Sequence, residues 1–294
     1  MKIVDAHHHL WDLNAVEYPW LMARGVIRFF GNPAPIQKNY LVDDLRTDAR
    51  DFELLDSVHI QVGAAPGQAL EETRWLQSCA EIDGLPSAIV AYCELERDDI
   101  ELQLDAHGAA DRLRGVRQIV GRSAEEDAVT GSGALLDNAG FVSGLARLAE
   151  RDLSFDLQLT PGQMRRMADI IGNVPGLRVA LCHCGSPWDQ SPEGIAAWRD
   201  GLRALAANDN VHCKISGLAM FDHDWTIERI RPIVESCFEI FGTARCMFGS
   251  NFPVDKLHKS YAAIWGAYSE LTAALSQAER DAMFVGNARR FYRL

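Results

Sequence analysis

With 294 residues, 48% of them hydrophobic and 24% charged, the chain has the make-up of a folded protein of one large domain or two modest ones. Its net charge of −12 speaks against nucleic acid as a partner, because phosphate binding needs a basic surface. No run approaches the roughly eighteen apolar residues of a membrane span, and Asp5 and the histidines interrupt what would have to be a signal peptide, so a cytoplasmic protein is expected.

The chain opens with a short apolar strand, residues 3–9, that ends in His7, His8 and His9. Side chains alternate across a strand, so His7 and His9 share one face and His8 takes the other. Two imidazoles on one face at a strand's C-terminal end can grip a divalent metal, with further ligands arriving from later strands. A tag remnant would be longer and would not sit inside an apolar strand; hydrogen-bonded core histidines are the plainer alternative. Residues 11–40 carry Pro19, Gly31, Pro33 and Pro35, too many breakers for a helix interior over a length too great for a plain connection. A functional loop is expected there. Its aromatics (Trp11, Tyr18, Trp20, Phe29, Phe30 and Tyr40) either wall a pocket or pack on the body of the protein.

Beyond it, strands and helices alternate. Further strands are predicted at 57–62, 87–93, 113–120, 153–159, 178–183, 211–216 and 245–249. Helices are predicted at 68–82, 99–107, from 138 to 151, after Pro161, from Pro192, from Thr226, and at 257–275 and 277–292, with a Gly- and acid-rich loop leading to Asn138. Eight strands alternating with helices predict an α/β fold, a single (β/α)8 TIM barrel over residues 1–294. The doubly wound alternative lacks a Gly-x-Gly-x-x-Gly after any strand. The seven cysteines, an odd number set mostly in apolar runs, read as free buried thiols of a reducing compartment. Cys182 and Cys184 flank His183, but on a strand both sulfurs would point away from the imidazole, so no three-ligand site is expected there.

In such barrels the active site lies at the C-terminal ends of the strands. That filter selects His7 and His9, then His59 and Gln61, Arg117, Asp156 and Gln158, and His183 with Trp188 in the loop beyond it. Strand seven adds Lys214 or Ser216, and strand eight leads into the run from Ser250 to Asp255. His183 could be a core histidine, but its place at a strand end favours the site. Arg117 cannot be comfortably buried without an anionic partner, either a structural aspartate or a substrate carboxylate. Lys214 and His59 are weaker candidates on the same strand-end grounds.

Asp5-Ala6-His7-His8-His9-Leu10-Trp11, His183-Cys184-Gly185-Ser186-Pro187, Phe248-Gly249-Ser250-Asn251-Phe252-Pro253 and Gly286-Asn287-Ala288 together resemble the amidohydrolase superfamily. The resemblance is to the amidohydrolase-related branch that includes sugar-acid lactonases and pyrone-dicarboxylate lactonase, and it runs over essentially the whole chain. It implies that His7, His9 and His183 are the metal-binding positions. Gln158 stands where the superfamily has a strand-five histidine, and strand four offers no lysine for carboxylation. At most one divalent ion, zinc or manganese, is therefore implied, and some members of the branch work without one.

The strand-eight motif departs further. The family's Gly-Ser-Asp-x-Pro carries an aspartate that orients or deprotonates the attacking water, and here the position is Asn251. An amide can hydrogen-bond or weakly ligate a metal but cannot accept a proton at pH 7, which leaves His183 and Asp255 as candidate bases. The resemblance implies a hydrolase that opens a small sugar-acid or carboxylated lactone, with Arg117 gripping substrate carboxylate or hydroxyls through its planar fork. Gln158, Trp188 and the 11–40 loop would shape the pocket, with His59 and Lys214 as weaker contributors. The alternatives are a lactone isomerase or decarboxylase, which needs no water-activating aspartate, and a non-catalytic ligand-binding relative. The expected partner is a small acidic or polyol lactone, with no nucleic acid and no membrane, and the sequence leaves both a monomer and a homo-oligomer open.

Overall fold

A computed structural model describes residues 1–294. Eight parallel strands pair in chain order: β1 (Lys2–His8), β2 (Glu53–Ile60), β3 (Ala88–Ala91), β4 (Leu113–Val116), β5 (Ser154–Leu157), β6 (Arg178–Leu181), β7 (Val211–Ile215) and β8 (Cys246–Phe248). Helices fill the intervals, so each strand is covered on both faces and reads as a nearly continuous apolar run. The ring closes just past β8, where Asn251 N donates to His7 O and His9 N donates to Phe252 O, each at 2.7 Å. These closing bonds join the histidine strand to the Ser250–Pro253 turn, so motifs at opposite ends of the sequence become neighbours. The fold is the expected (β/α)8 barrel.

Val4, Ala6, Val58, Ile60, Ala88, Val90, Ala180 and Met247 fill the barrel interior, and Phe291 and Tyr292 of the last helix cap it. One polar pair interrupts this core. Lys214 Nζ lies 2.5 Å from Asp156 Oδ2, both side chains fully buried, and Tyr292 OH donates to Asp156 at 2.9 Å. Their strand neighbours are the inward-facing Met247 and Ala180, so Lys214 is committed to the barrel interior and not to a substrate. All seven cysteines are free, and Cys79 alone is not fully covered. No helix is long and apolar enough to cross a membrane.

Two local expectations change. The fourth strand ends at Val116, leaving Arg117–Val120 as an extended lead-in to the cavity. The stretch read as loop up to Asn138 contains a helix, Ala124–Thr130, whose N-cap Ser123 Oγ accepts from Glu126 N at 3.3 Å. Ser-x-x-Glu is a helix-start signature, and the glycines and acidic residues around it obscured it. The long loop holds one short α-helical turn, Pro19–Met22, and gives way to the helix Val42–Asp48 just after Tyr40.

Candidate active site

The site is built where β1 meets the turn after β8. Between Asp5 and His8, β1 slips by one residue relative to β2, so that Asp5 pairs with Ser57 and His8 with His59. Such a bulge re-aims side chains. It frees Asp5 to accept from Ser250 Oγ at 2.6 Å, Ser250 N at 2.9 Å and Tyr261 OH at 3.0 Å, pinning the strand-eight turn onto β1. Burial pushes the Asp5 carboxyl up to about 6, against these hydrogen bonds, which pull it down. His7 then stands with its ring centroid 4.4 Å from that of His183 and 5.2 Å from that of His9, while His8 turns towards His59 at 6.0 Å.

Backbone conformation serves this packing. A Cβ on Gly217 would come within 2.4 Å of His183 Nδ1, and one on Gly249 within 2.6 Å of His7 Cβ, so only glycine lets these segments approach the imidazoles. His183 and Asn251 themselves hold positive φ values of 54° and 55°. That conformation is uncommon outside glycine and concentrates at functional sites.

Hydrogen-bond partners assign the imidazole tautomers. His9 Nδ1 lies 2.7 Å from Ile60 O, a pure acceptor, so Nδ1 carries the proton and Nε2 presents a lone pair. That lone pair faces Asn251 Oδ1 at 3.3 Å. While Asp255 is ionised, the Asn251 amide keeps its nitrogen turned away from His9, because Nδ2 donates to Asp255 Oδ1 at 2.7 Å. Two acceptors therefore face each other at the edge of the cavity, an arrangement satisfied by a donor hydroxyl, a water or a cation between them. Both ring nitrogens of the fully buried His7 lack a partner, and His183 Nδ1 is engaged by Ser216 Oγ at 3.0 Å. Burial holds His7 and His183 well below the usual imidazole range and His9 at about 3, with nearby cationic groups acting in the same direction, so all three are neutral at pH 7. Neutral imidazole is the metal-binding form. These donors have the chemistry to take one cation at His7, His9 and His183 beside Asn251 Oδ1, but as they stand no three His, Cys, Asp or Glu side chains converge closely enough to hold a metal ion.

Over this floor opens a cavity of about 860 Å³ that reaches His9, Gln61, Arg117, Gln158, His183 and Asn251. Arg117 is 6% exposed. Its Nη1 donates to Gln158 Oε1 at 3.0 Å and its Nη2 to Gln61 O at 2.5 Å, while Nε has no partner. No carboxylate pairs with it. The anionic partner that its burial calls for is thus not a structural aspartate, and the cavity side remains open to one. Burial lowers the guanidinium from its ordinary value, the direction expected of a cation short of counter-charge.

The structure brings His9, His183, Asn251, Arg117 and Gln158 together at the cavity floor, with Trp188 on the wall and His7 buried behind the floor, its ring against that of His183. It separates three others. His59 is fully buried, does not line the cavity, and accepts from Leu10 N through Nδ1 at 3.0 Å, which makes it a support for the end of β1. Lys214 lies inside the barrel. Asp255 sits behind Asn251, where it fixes the amide and accepts from Ala219 N at 3.4 Å, so it does not touch the cavity as a base would have to. Its carboxyl is pushed up to about 7 by burial. Sequence reasoning missed Phe221, Glu94, Glu96 and Arg122, which line the upper cavity from loops beyond the strand ends where the search stopped.

The chain resembles known proteins over its whole length. The chain is 39% identical to protein y4mH of Sinorhizobium fredii over all of this chain and 99% of the other. It is 29% identical to an L-fucono-1,5-lactonase of Burkholderia multivorans, covering 99% of this chain and 96% of that one. Among solved structures, an amidohydrolase from Burkholderia multivorans crystallised with bound zinc superposes with a TM-score of 0.83 at 27% identity, over the whole of both chains. Residues 4–294 match the amidohydrolase family, and the chain belongs to it.

Proposed function

We propose that the protein hydrolyses a small lactone that carries a carboxylate or several hydroxyls, releasing the open acid. The observation that carries this is Arg117: a buried guanidinium without a carboxylate partner, open to the cavity beside His183 and Asn251. Such a group calls for an anion, and both a substrate carboxylate and the oxygen that becomes negative as water attacks the lactone carbonyl meet that need. Gln158 and the Gln61 carbonyl hold the guanidinium fork in place before substrate arrives. The similarity to an L-fucono-1,5-lactonase supports the lactone class.

Without a metal, His183 is the base in this reading. With Nδ1 engaged by Ser216, its other ring nitrogen is left for the cavity, and the ring is neutral at pH 7. Its proton affinity is low at rest and rises as negative charge develops on the attacked carbonyl. Asn251 Oδ1 accepts from the attacking water and orients it, and Asp255 keeps that oxygen pointed inward. With one divalent ion bound, His7, His9 and His183 would instead be its ligands, and the ion would supply Lewis-acid polarisation of the carbonyl and activation of the water in place of His183. A zinc-bound relative supports zinc, and the seven free thiols support a cytoplasmic location. The test is a pH-stat screen of five- and six-membered aldonolactones and carboxylated lactones, with protein stripped of metal and with protein reloaded with zinc or manganese. Turnover with proton NMR of an open acid is expected. No turnover of any lactone in either state, or a rearranged lactone as product, would sink the proposal.

A further inference from the structure

The cavity is much larger than the lactone its floor calls for. A six-carbon lactone has about a dozen heavy atoms and would fill at most ~360 Å³ even if each atom claimed the ~30 Å³ share of a liquid water molecule. The cavity measures about 860 Å³. The surplus space has two unlike walls. Over strands β6 to β8 the aromatic rings form a continuous surface: Phe29 and Trp188 have centroids 4.5 Å apart, Trp188 and Phe221 5.1 Å, and Phe29 and Phe30 5.2 Å. All four line the cavity, and Trp188 is 36% exposed. Across the ring, over β3 and β4, the wall carries Glu94, Glu96, Glu126 and Arg122 beside Tyr92 and Leu135.

The carboxylates are already partly neutralised. Gln118 Nε2 donates to Glu96 at 2.7 Å, Arg97 Nε lies 3.6 Å from Glu94, and Arg122 Nη1 lies 3.8 Å from Glu126. Free acceptor oxygens remain there for hydroxyl donors, and the guanidinium groups of Arg28, Arg117 and Arg122, which line the same cavity, disfavour a cationic group. A purely apolar extension would cover these acceptors and leave them unsatisfied, at a desolvation cost. A second carboxylate would be repelled. Flat aromatic faces on one side and hydrogen-bond acceptors on the other match a pyranose ring, whose C–H face is apolar and whose rim is hydroxylated.

We propose that the natural substrate is an aldobionolactone: an aldonic acid lactone at the floor that carries a second sugar ring, held between the aromatic wall and the carboxylate wall. This rests on the lactonase reading above and specifies its substrate. The second ring forms no covalent bond with the protein; hydrolysis still adds one water across the lactone C–O bond and releases the aldobionic acid.

The test compares kcat/KM for monosaccharide aldonolactones with that for a panel of disaccharide lactones of different linkage, including those of lactobionic, cellobionic, maltobionic and melibionic acids. At least one disaccharide lactone is expected to exceed its parent monosaccharide lactone by tenfold or more. Trp188→Ala should reduce that ratio to near one, and Trp188→Phe, which keeps a flat face on the same wall, should restore most of it. Equal rates for all disaccharide and monosaccharide lactones, a ratio unmoved by Trp188→Ala, or a preference for alkyl or aryl lactones of similar length would overturn the proposal. Monosaccharide turnover reads the lactonase assignment separately. If no lactone is turned over at all, quenching of tryptophan fluorescence by the free aldobionic acids, lost in Trp188→Ala, still supports the two-walled subsite, and its absence overturns it.

Discussion

At the scale of single residues, Arg117 and Asn251 carry most of the chemistry, and each can be tested alone. Arg117→Gln keeps polar contact with Gln158 but removes the charge. Loss of a charge-assisted hydrogen bond of about 1.5–3 kcal/mol predicts a fall in kcat/KM of roughly 10- to 100-fold. Arg117→Lys is expected to recover little, because a point ammonium cannot reach Gln158 Oε1, the Gln61 carbonyl and a substrate anion at once, as the fork does. Full activity in the lysine variant would show that charge alone matters. Asn251→Asp replaces the amide whose Nδ2 donates to Asp255 with a second carboxylate next to the first. The two acids repel, so the single variant should gain zinc affinity only modestly. The exchange Asn251→Asp with Asp255→Asn restores a donor behind a true carboxylate and should bind zinc at least tenfold more tightly than the parent in a chelator competition. Identical affinities in all three proteins would place residue 251 outside the metal's reach. The sequence identified both positions but not this relation, because the four-residue spacing does not say which atom of the amide faces the cavity.

At the scale of elements, the 11–40 loop behaves as a built wall and not as a tether. Trp11 and Tyr40 exchange backbone hydrogen bonds across its base at 2.9 Å, and Arg28 and Gly31 do the same across its tip at 2.9 and 3.0 Å. The tip is held from outside: His258 Nε2 donates to Phe30 O at 2.8 Å and His223 Nε2 to Phe29 O at 3.2 Å, with the two imidazoles stacked at 4.1 Å. Gly31 fits under this clamp because a Cβ there would lie 3.1 Å from the His258 ring, at a φ of 111° that disfavours other residues. His258→Ala should speed amide exchange across residues 28–31 by at least tenfold and raise KM several-fold, while global stability changes by less than about 1 kcal/mol. Unchanged exchange would show that packing of Phe29 and Phe30 suffices to hold the loop. The proline content marked this segment as functional but left open whether its aromatics wall a pocket. The answer depends on His223 and His258, which lie beyond the strand ends and reach the loop tip only in the folded chain.

At the scale of the whole molecule, the barrel was legible because its strands are short apolar runs at regular intervals, and the site was legible because the fold dictates where strands end. The placement of Lys214 and His59 was not. Alternation gives a residue's face but not its depth along the barrel, and a bulge in β1 shifts the local register. The number of buried titratable groups has a consequence for stability. His7, His8, His9, His59 and His183 are fully buried with their imidazoles held well below the usual range, and burial also lowers His107 and His212 to about 4. Each binds its proton more readily in the unfolded chain, so each contributes stability that is present above about pH 6.5 and is lost as the pH falls. Asp5, raised to about 6, and Glu72 and Asp255, each raised to about 7, act in the opposite sense. Their contribution is present below about pH 4 and is lost as the pH rises through 6 to 7. Between pH 4.5 and 6.5 the seven histidines outweigh the three carboxyls, so Tm of metal-free protein should climb steeply across that interval at constant ionic strength. Above about pH 7 the last of the histidine titration in the unfolded chain and the titration of Glu72 and Asp255 in the folded protein nearly cancel, so Tm should level off by pH 7.5. A maximum below pH 5 would mean that the imidazoles are protonated in the folded protein, and with them the reading of His7, His9 and His183 as neutral ligands and of His183 as base would fall.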